Sequence, residues 1–171
     1  MAKVLFVVAP QQFRDEELFY PREALEKCGH EISVASNKLG LCHGTLGGCV
    51  NADLLLKDAV AVDYDAVIFV GGGGSEVYFQ DPDALKLAMK MVIDGKITAA
   101  ICIAPVILAN AGLLNGRKAT VFESEINTIQ NKGASYSGPG VAQDGNIITA
   151  DSPNSALQFG EKLCEVLGAI H

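Results

Sequence analysis

Three short segments of this chain carry residue types that could do covalent chemistry. In AAICIAP, Cys102 follows an apolar run and Pro105 sits in the first turn of a helix, so the thiol stands where a strand hands over to a helix. Partial positive charge and free backbone N–H groups at such a place lower a thiol's pKa and favour the thiolate. A sharp strand–turn–helix passage also lifts the side chain clear of its neighbours, as nucleophile elbows do. The competing use of Cys102 is as a small buried hydrophobe, the fate of most free cysteines. The second segment is Gly71-Gly72-Gly73-Gly74-Ser75. Its amides, with those after Cys102, suit a developing oxyanion, or the glycines simply make a flexible turn. It lacks the Gly-Lys-Ser/Thr ending of a phosphate loop and a following acidic ribose partner, so no nucleotide cofactor is expected.

The third segment holds Asp15, Glu16 and Glu17, of which Glu17 is the candidate carboxylate. Turned inward beside Cys102, it would be partly desolvated, its pKa raised, and able to share a proton with the thiol. Turned outward, it is a solvated acid favouring the helix dipole. The histidines are poorly placed to help. His30 opens a strand at the opposite edge, His43 lies in a hairpin and His171 is the last residue, so a Cys–His hydrolase finds no base.

The elements that position these groups follow from hydrophobic pattern. Lys3 to Ala9 is a β-branched run with the character of a strand covered on both faces. Asp15 to Lys27 reads as a helix, with Pro21 early enough to be tolerated at the cost of a kink. Further strands are predicted over His30 to Ser36, Asp65 to Val70, Ile97 to Ile101 and Lys118 to Val121. Asn37 to Leu56 reads as a hairpin or a pair of edge strands, and Val141 to Ala150 as a hairpin around Asp144-Gly145. Helices are predicted over Asp81 to Asp94, Ala104 to Ala111, about Ser124 to Asn131, and Pro153 to Leu167. Strands alternating with helices imply an α/β fold with a doubly wound, mainly parallel sheet, whose ligands bind beyond the carboxyl ends of the strands. With no linker or repeat, residues 1–171 are expected to form one domain.

Composition narrows the partners. A net charge of −7 with scattered basic residues disfavours nucleic acid and anionic membranes. No stretch approaches the roughly 20 apolar residues of a membrane helix, and the N-terminal run is too short for a signal peptide. A cytoplasmic protein is therefore expected. The five cysteines form no CxxC pair, which argues against a disulfide framework, and Cys42-His43 lacks a second ligand pair for zinc. Neither metal nor cofactor is expected.

In order and spacing, FRDEELFYPREALEKCGHEISVAS, DAVIFVGGGG and GKITAAICIAPVILANAGLLNGRKAT resemble the ThiJ/PfpI superfamily, which includes DJ-one-like proteins and is related to class I glutamine amidotransferase domains. The resemblance continues through VAQDGNIITADSP and the final helix. It implies a flavodoxin-like sheet with helices on both faces. It matches Cys102 to the family's cysteine, Glu17 to its inward glutamate, and Gly72 with Ile103 to the amides of its oxyanion hole. It further implies a homodimer.

Two departures bear on activity. Protease-like members carry Cys-His-Gly-Pro at the elbow, whereas this chain has Cys102-Ile103-Ala104-Pro105, and Ile103 neither accepts nor relays a proton. DJ-one-like members place a histidine shortly after the elbow helix, where Phe122 falls here. What remains is a Glu17–Cys102 dyad under backbone donors. Such a dyad suits glyoxalase- or deglycase-like chemistry on a small carbonyl substrate. The alternative is a redox-sensing or chaperone-like protein in which an oxidant modifies Cys102. A peptidase is the third reading, weakened by Ile103.

Overall fold

The computed structural model describes residues 1–168. Its first strand, β1 (Lys3–Val7), is followed by the short β2 (Gln11–Phe13) and the helix α1 (Asp15–Lys27). Then come β3 (Glu31–Ser36), β4 (Gly40–Gly44), β5 (Cys49–Ala52), β6 (Leu54–Leu55) and β7 (Ala66–Phe69). The helix α2 (Pro82–Ile93), β8 (Ile97–Ile101), α3 (Pro105–Asn110), β9 (Lys118–Ala119) and α4 (Ile126–Asn131) follow. The chain closes with β10 (Ser135–Tyr136), β11 (Val141–Asp144), β12 (Ile147–Ala150) and α5 (Ala156–Gly168).

Seven strands form the central sheet in the order β11-β12-β8-β7-β1-β3-β6. All neighbours are parallel except β11, which pairs antiparallel with β12 across the expected Asp144-Gly145 turn. Strict alternation loads both faces. Val4, Phe6 and Val8 pack with Leu18, Leu25, Phe159 and Leu163 of α1 and α5, while Leu5, Val7 and Ala9 pack with Leu87, Met91, Ile107 and Ile129 on the side of α2, α3 and α4. This two-faced burial explains the unbroken apolar runs, since every position of β7 and β8, and every position of β1 after Lys3, is buried. Pro21 sits within α1, which continues through it. Among the described residues no helix is long and apolar enough to cross a membrane.

The topology reverses between β1 and β7, because the chain goes from β1 to β3 on one side and later returns to place β7 on the other. The carboxyl ends of β1, β7 and β8 therefore lie next to one another, which is where a doubly wound sheet offers a crevice. The segment after β1 forms β2, which joins β4 and β5 in a separate three-stranded sheet. Three residues without alternation carry no strand signal of their own, and pairing with β4 supplies the hydrogen bonds. Likewise β6 leaves the expected hairpin region to extend the main sheet beside β3, and β10 pairs with β9.

The loop after β7 is pressed against β2. A Cβ on Gly74 would collide with the Gln11 carbonyl oxygen and meet the Ala9 Cβ at 3.0 Å. This is a backbone-on-backbone contact, so nothing flexible can yield. Gly74→Ala is expected to lower the unfolding free energy by about 2 kcal/mol, read from the urea midpoint. An unchanged midpoint would show that β2 does not hold this loop.

Candidate active site

Cys102 follows the last residue of β8 and has φ +66°, one of two non-glycine residues among those described with positive φ. Left-handed backbone costs an L-residue on the order of 1–2 kcal/mol, so something must hold it. Both backbone groups of Cys102 are tied down. Its N–H donates to Ala150 O at 2.9 Å, and its carbonyl accepts from the Phe122 N–H at 2.8 Å. The side chain is 8% exposed, which leaves a small opening to solvent. The backbone N–H groups of Gly72 and Ile103 both donate toward its sulfur.

Gly71 and Gly72 are required by the closeness of what surrounds them. A Cβ on Gly71 would strike Glu17 Oε1 and come within 2.5 Å of the Ile101 oxygen and 2.7 Å of the Cys102 Cβ. At Gly72, φ is +97°, and a Cβ would collide with the Arg14 nitrogen and approach the Gln12 oxygen to 2.7 Å. The Gly71 carbonyl accepts from the Arg14 N–H at 3.0 Å, which pins the loop to the start of α1. The glycines thus form a fixed wall, and the flexible-turn reading fails.

Glu17 projects inward from the first turn of α1 and has no solvent exposure. The Cys102 thiol and the Gly71 amide face its carboxyl, yet neither carboxyl oxygen completes a hydrogen bond of ordinary geometry. Burial pushes Glu17 up to about 8, against the opposing influence of the Cys102 thiol and the Arg14 charge. Burial likewise pushes the Cys102 thiol up to about 12, helped by the Glu17 charge and opposed by the Gly72 and Ile103 amides. The expectation that the helix start would lower the Cys102 pKa is therefore corrected. The helix α3 has six residues and begins at Pro105, which has no N–H to offer, so desolvation dominates. Two acids in one dry site titrate as a unit. The pair gives up its first proton near 8, and the resulting charge holds the second in place.

The model of the DJ-1/PfpI family matches residues 2–166. The chain belongs to the DJ-1/PfpI family. An uncharacterized protein of Methanocaldococcus jannaschii is 42% identical to it, over 99% of this chain and 82% of the relative. A deglycase of Pyrococcus horikoshii is 36% identical, over 96% and 99% of the two chains. Among solved structures, a ThiJ/PfpI domain protein from Brachyspira murdochii superposes with a TM-score of 0.95 at 34% identity, covering 98% of this chain and 96% of its own.

Within this DJ-1/PfpI chain the histidines stand as follows. The His30 ring accepts from the Ala2 N–H at 3.0 Å, and His43 is exposed on β4. His171 lies outside the described residues. Phe122 bonds the Cys102 carbonyl through its backbone and packs with Ile103 in the core layer that includes Cys102. Among the described residues no cluster of three or more His, Cys, Asp or Glu side chains could hold a metal ion.

Two neighbours of Glu17 carry roles that sequence reasoning missed. Arg14 caps α1 and grips Glu16 through two hydrogen bonds, at 2.9 and 3.0 Å. Its charge also acts on Glu17 and Cys102. Asp15 is 8% exposed and accepts from the Leu46 and Gly48 amides at 2.8 and 2.7 Å, so it fastens the β4–β5 turn to α1. The available signal was weak, since Asp15 looked like any acid in a first turn. Cys42, on β4, is 1% exposed, and burial raises its pKa.

The buried carboxyl gives a pH signature. Its folded pKa of about 8 lies above the 4.5 of the unfolded chain, so the folded state binds an extra proton between those values. That stabilisation is full below pH 4.5 and is lost as pH rises to 8. It amounts to on the order of 5 kcal/mol. Urea unfolding at pH 5, 7 and 9 should show this decline in the natural protein, with Glu17→Gln lacking it and more stable than the natural protein at pH 9. Parallel curves for the two proteins would mean that Glu17 is ionised throughout.

Proposed function

We propose that this protein is a cysteine-dependent enzyme of deglycase type acting on small reactive carbonyls, with Cys102 as nucleophile and Glu17 as the group that moves its proton. The observation that carries this reading is the buried, incompletely bonded Glu17 carboxyl facing the thiol on the strained elbow. A group kept near a pKa of 8 by burial can accept a proton and return it close to neutral pH, which is what general acid–base work requires. The deglycase name of a relative that matches nearly the whole chain supports an activity of deglycase type.

In this mechanism Glu17 takes the Cys102 proton as sulfur adds to the aldehyde carbon of an α-oxoaldehyde. The oxyanion forms under the Gly72 and Ile103 amides, and the proton returns to it as a hemithioacetal. Moving the C1 proton to the neighbouring carbonyl carbon, and the hydroxyl proton from the C1 oxygen to the oxygen on that carbon, turns the hemithioacetal into a thioester without net redox change. Water then cleaves the thioester, releasing a 2-hydroxy acid and the free thiol. Ile103, where the protease-like elbow carries a histidine, neither accepts nor relays a proton, which disfavours peptide cleavage.

Lactate release from methylglyoxal or its thiol and amine adducts tests the reading. Cys102→Ala should reduce kcat/KM at least about 10³-fold, and Glu17→Gln about 10²-fold or more. In the natural protein kcat/KM should climb with pH and level off above about 8. Equal rates for the natural and Cys102→Ala proteins would overturn it. A second reading has its own support, because protonated Glu17 and the two amides could also bond oxygens on an oxidised sulfur. Intact mass after mild peroxide, with oxygen at Cys102 and no carbonyl turnover, would favour that reading.

A further inference from the structure

Away from the elbow, the helices α1 and α5 approach each other closely around Gly160. A Cβ there would meet the Ala24 Cβ and the Pro21 Cα, each at 3.1 Å, and the Tyr20 carbonyl oxygen at 3.6 Å. Only a glycine lets the two helix backbones come this near. One turn further along each helix lie Cys164 on α5 and Cys28, the C-terminal cap of α1. Both are fixed on one acceptor. The Cys164 thiol donates to Ala24 O at 3.3 Å, and the Cys28 N–H donates to the same oxygen at 3.0 Å. The two thiols also interact directly. Cys28 is exposed and Cys164 half-buried, so one sulfur is open to reagents while the other is held behind it.

We propose that Cys28 and Cys164 are a redox-active thiol pair whose disulfide staples α1, the helix that bears Glu17, to α5. A disulfide requires Cα atoms about 4.4–6.8 Å apart, and the close approach at Gly160 draws the two helix backbones together one turn from the thiols. The oxidant is a peroxide. Cys28 takes one oxygen as the O–O bond breaks, giving a sulfenic acid, and the rest of the peroxide leaves as water or an alcohol. The Cys164 sulfur then attacks that sulfur. The S–S bond forms, the S–O bond breaks, and the hydroxyl departs as water with the Cys164 proton, so two thiols lose two electrons in all. The order follows from exposure and from the Cys164 thiol being raised to about 12, first by burial and then by Cys28. The bridge closes a long loop, which restricts the unfolded chain and stabilises the native one.

Peptide mapping after hydrogen peroxide at small molar excess, with remaining thiols alkylated and no reductant present, tests this. The expected product is a peptide pair joined through Cys28 and Cys164, lighter than the two free peptides by two hydrogens and separated by dithiothreitol. The oxidised protein should melt about 5–10 °C higher than the reduced one. Cys28→Ser and Cys164→Ser should each abolish both effects. Cys102→Ser should leave both intact, which separates this pair from the chemistry proposed for the elbow. Recovery of Cys28 and Cys164 on separate alkylated peptides, at a dose that oxidises Cys102, would overturn the proposal, as would a bridge joining two chains.

Discussion

A carboxylic acid and a thiol buried side by side are costly for a protein to keep, and the local architecture here can be understood as what makes that placement possible. Neither group is well solvated when charged, and a charge on Glu17 makes ionisation of Cys102 harder. Desolvation pushes both upward, so that one proton is released near pH 8 and the other is retained. The site therefore holds its proton in a range where small changes in surroundings redistribute it. Two backbone amides at the sulfur and the nearby Arg14 guanidinium are the positive influences that oppose burial. No histidine is needed for a proton to move between such groups.

Holding that pair requires backbone where side chains would ordinarily be. Gly71 stands where any Cβ would displace the Glu17 carboxyl or the Cys102 side chain, and Gly72 lets the loop turn against Gln12 and Arg14. Among the described residues, the two of positive φ without glycine's freedom, Gln12 and Cys102, lie on the two segments that flank this loop. Strain is thus concentrated at the carboxyl edge of the sheet. The bond that the Cys102 N–H donates to Ala150, the bond that the Cys102 carbonyl accepts from Phe122, and the packing of β2 are the restraints that sustain it.

The start of α1 shows how tertiary context differentiates similar residues. Asp15, Glu16 and Glu17 are consecutive acids in one turn, and successive positions on a helix point about 100° apart. Asp15 consequently reaches the amides of the β4–β5 turn, Glu16 reaches Arg14, and Glu17 turns into the core. One fixes a loop, one positions a cation, and one faces the thiol. The other end of the same helix meets α5, where Gly160 brings the backbones together.

Much of the architecture was written into local pattern. The apolar runs of β1, β7 and β8, the capped α2 opened by Asp81 and Pro82, and the turn at Asp144-Gly145 each follow from side-chain periodicity or turn chemistry that a single segment carries by itself. Cys102 and Glu17 could be singled out for the same reason, as a strand-to-helix junction and a first-turn acid, aided by family resemblance. Their pKa values could not be read there. A helix start argued for a low thiol pKa, but the sign is set by how much water the folded chain removes, and that depends on residues far apart in sequence. The same holds for β2, for the anchoring by Asp15, for the Arg14 charge and for the meeting of Cys28 with Cys164. Each arises only when segments distant along the chain are packed together, because burial and proximity are properties of the assembled core and not of any one stretch of it.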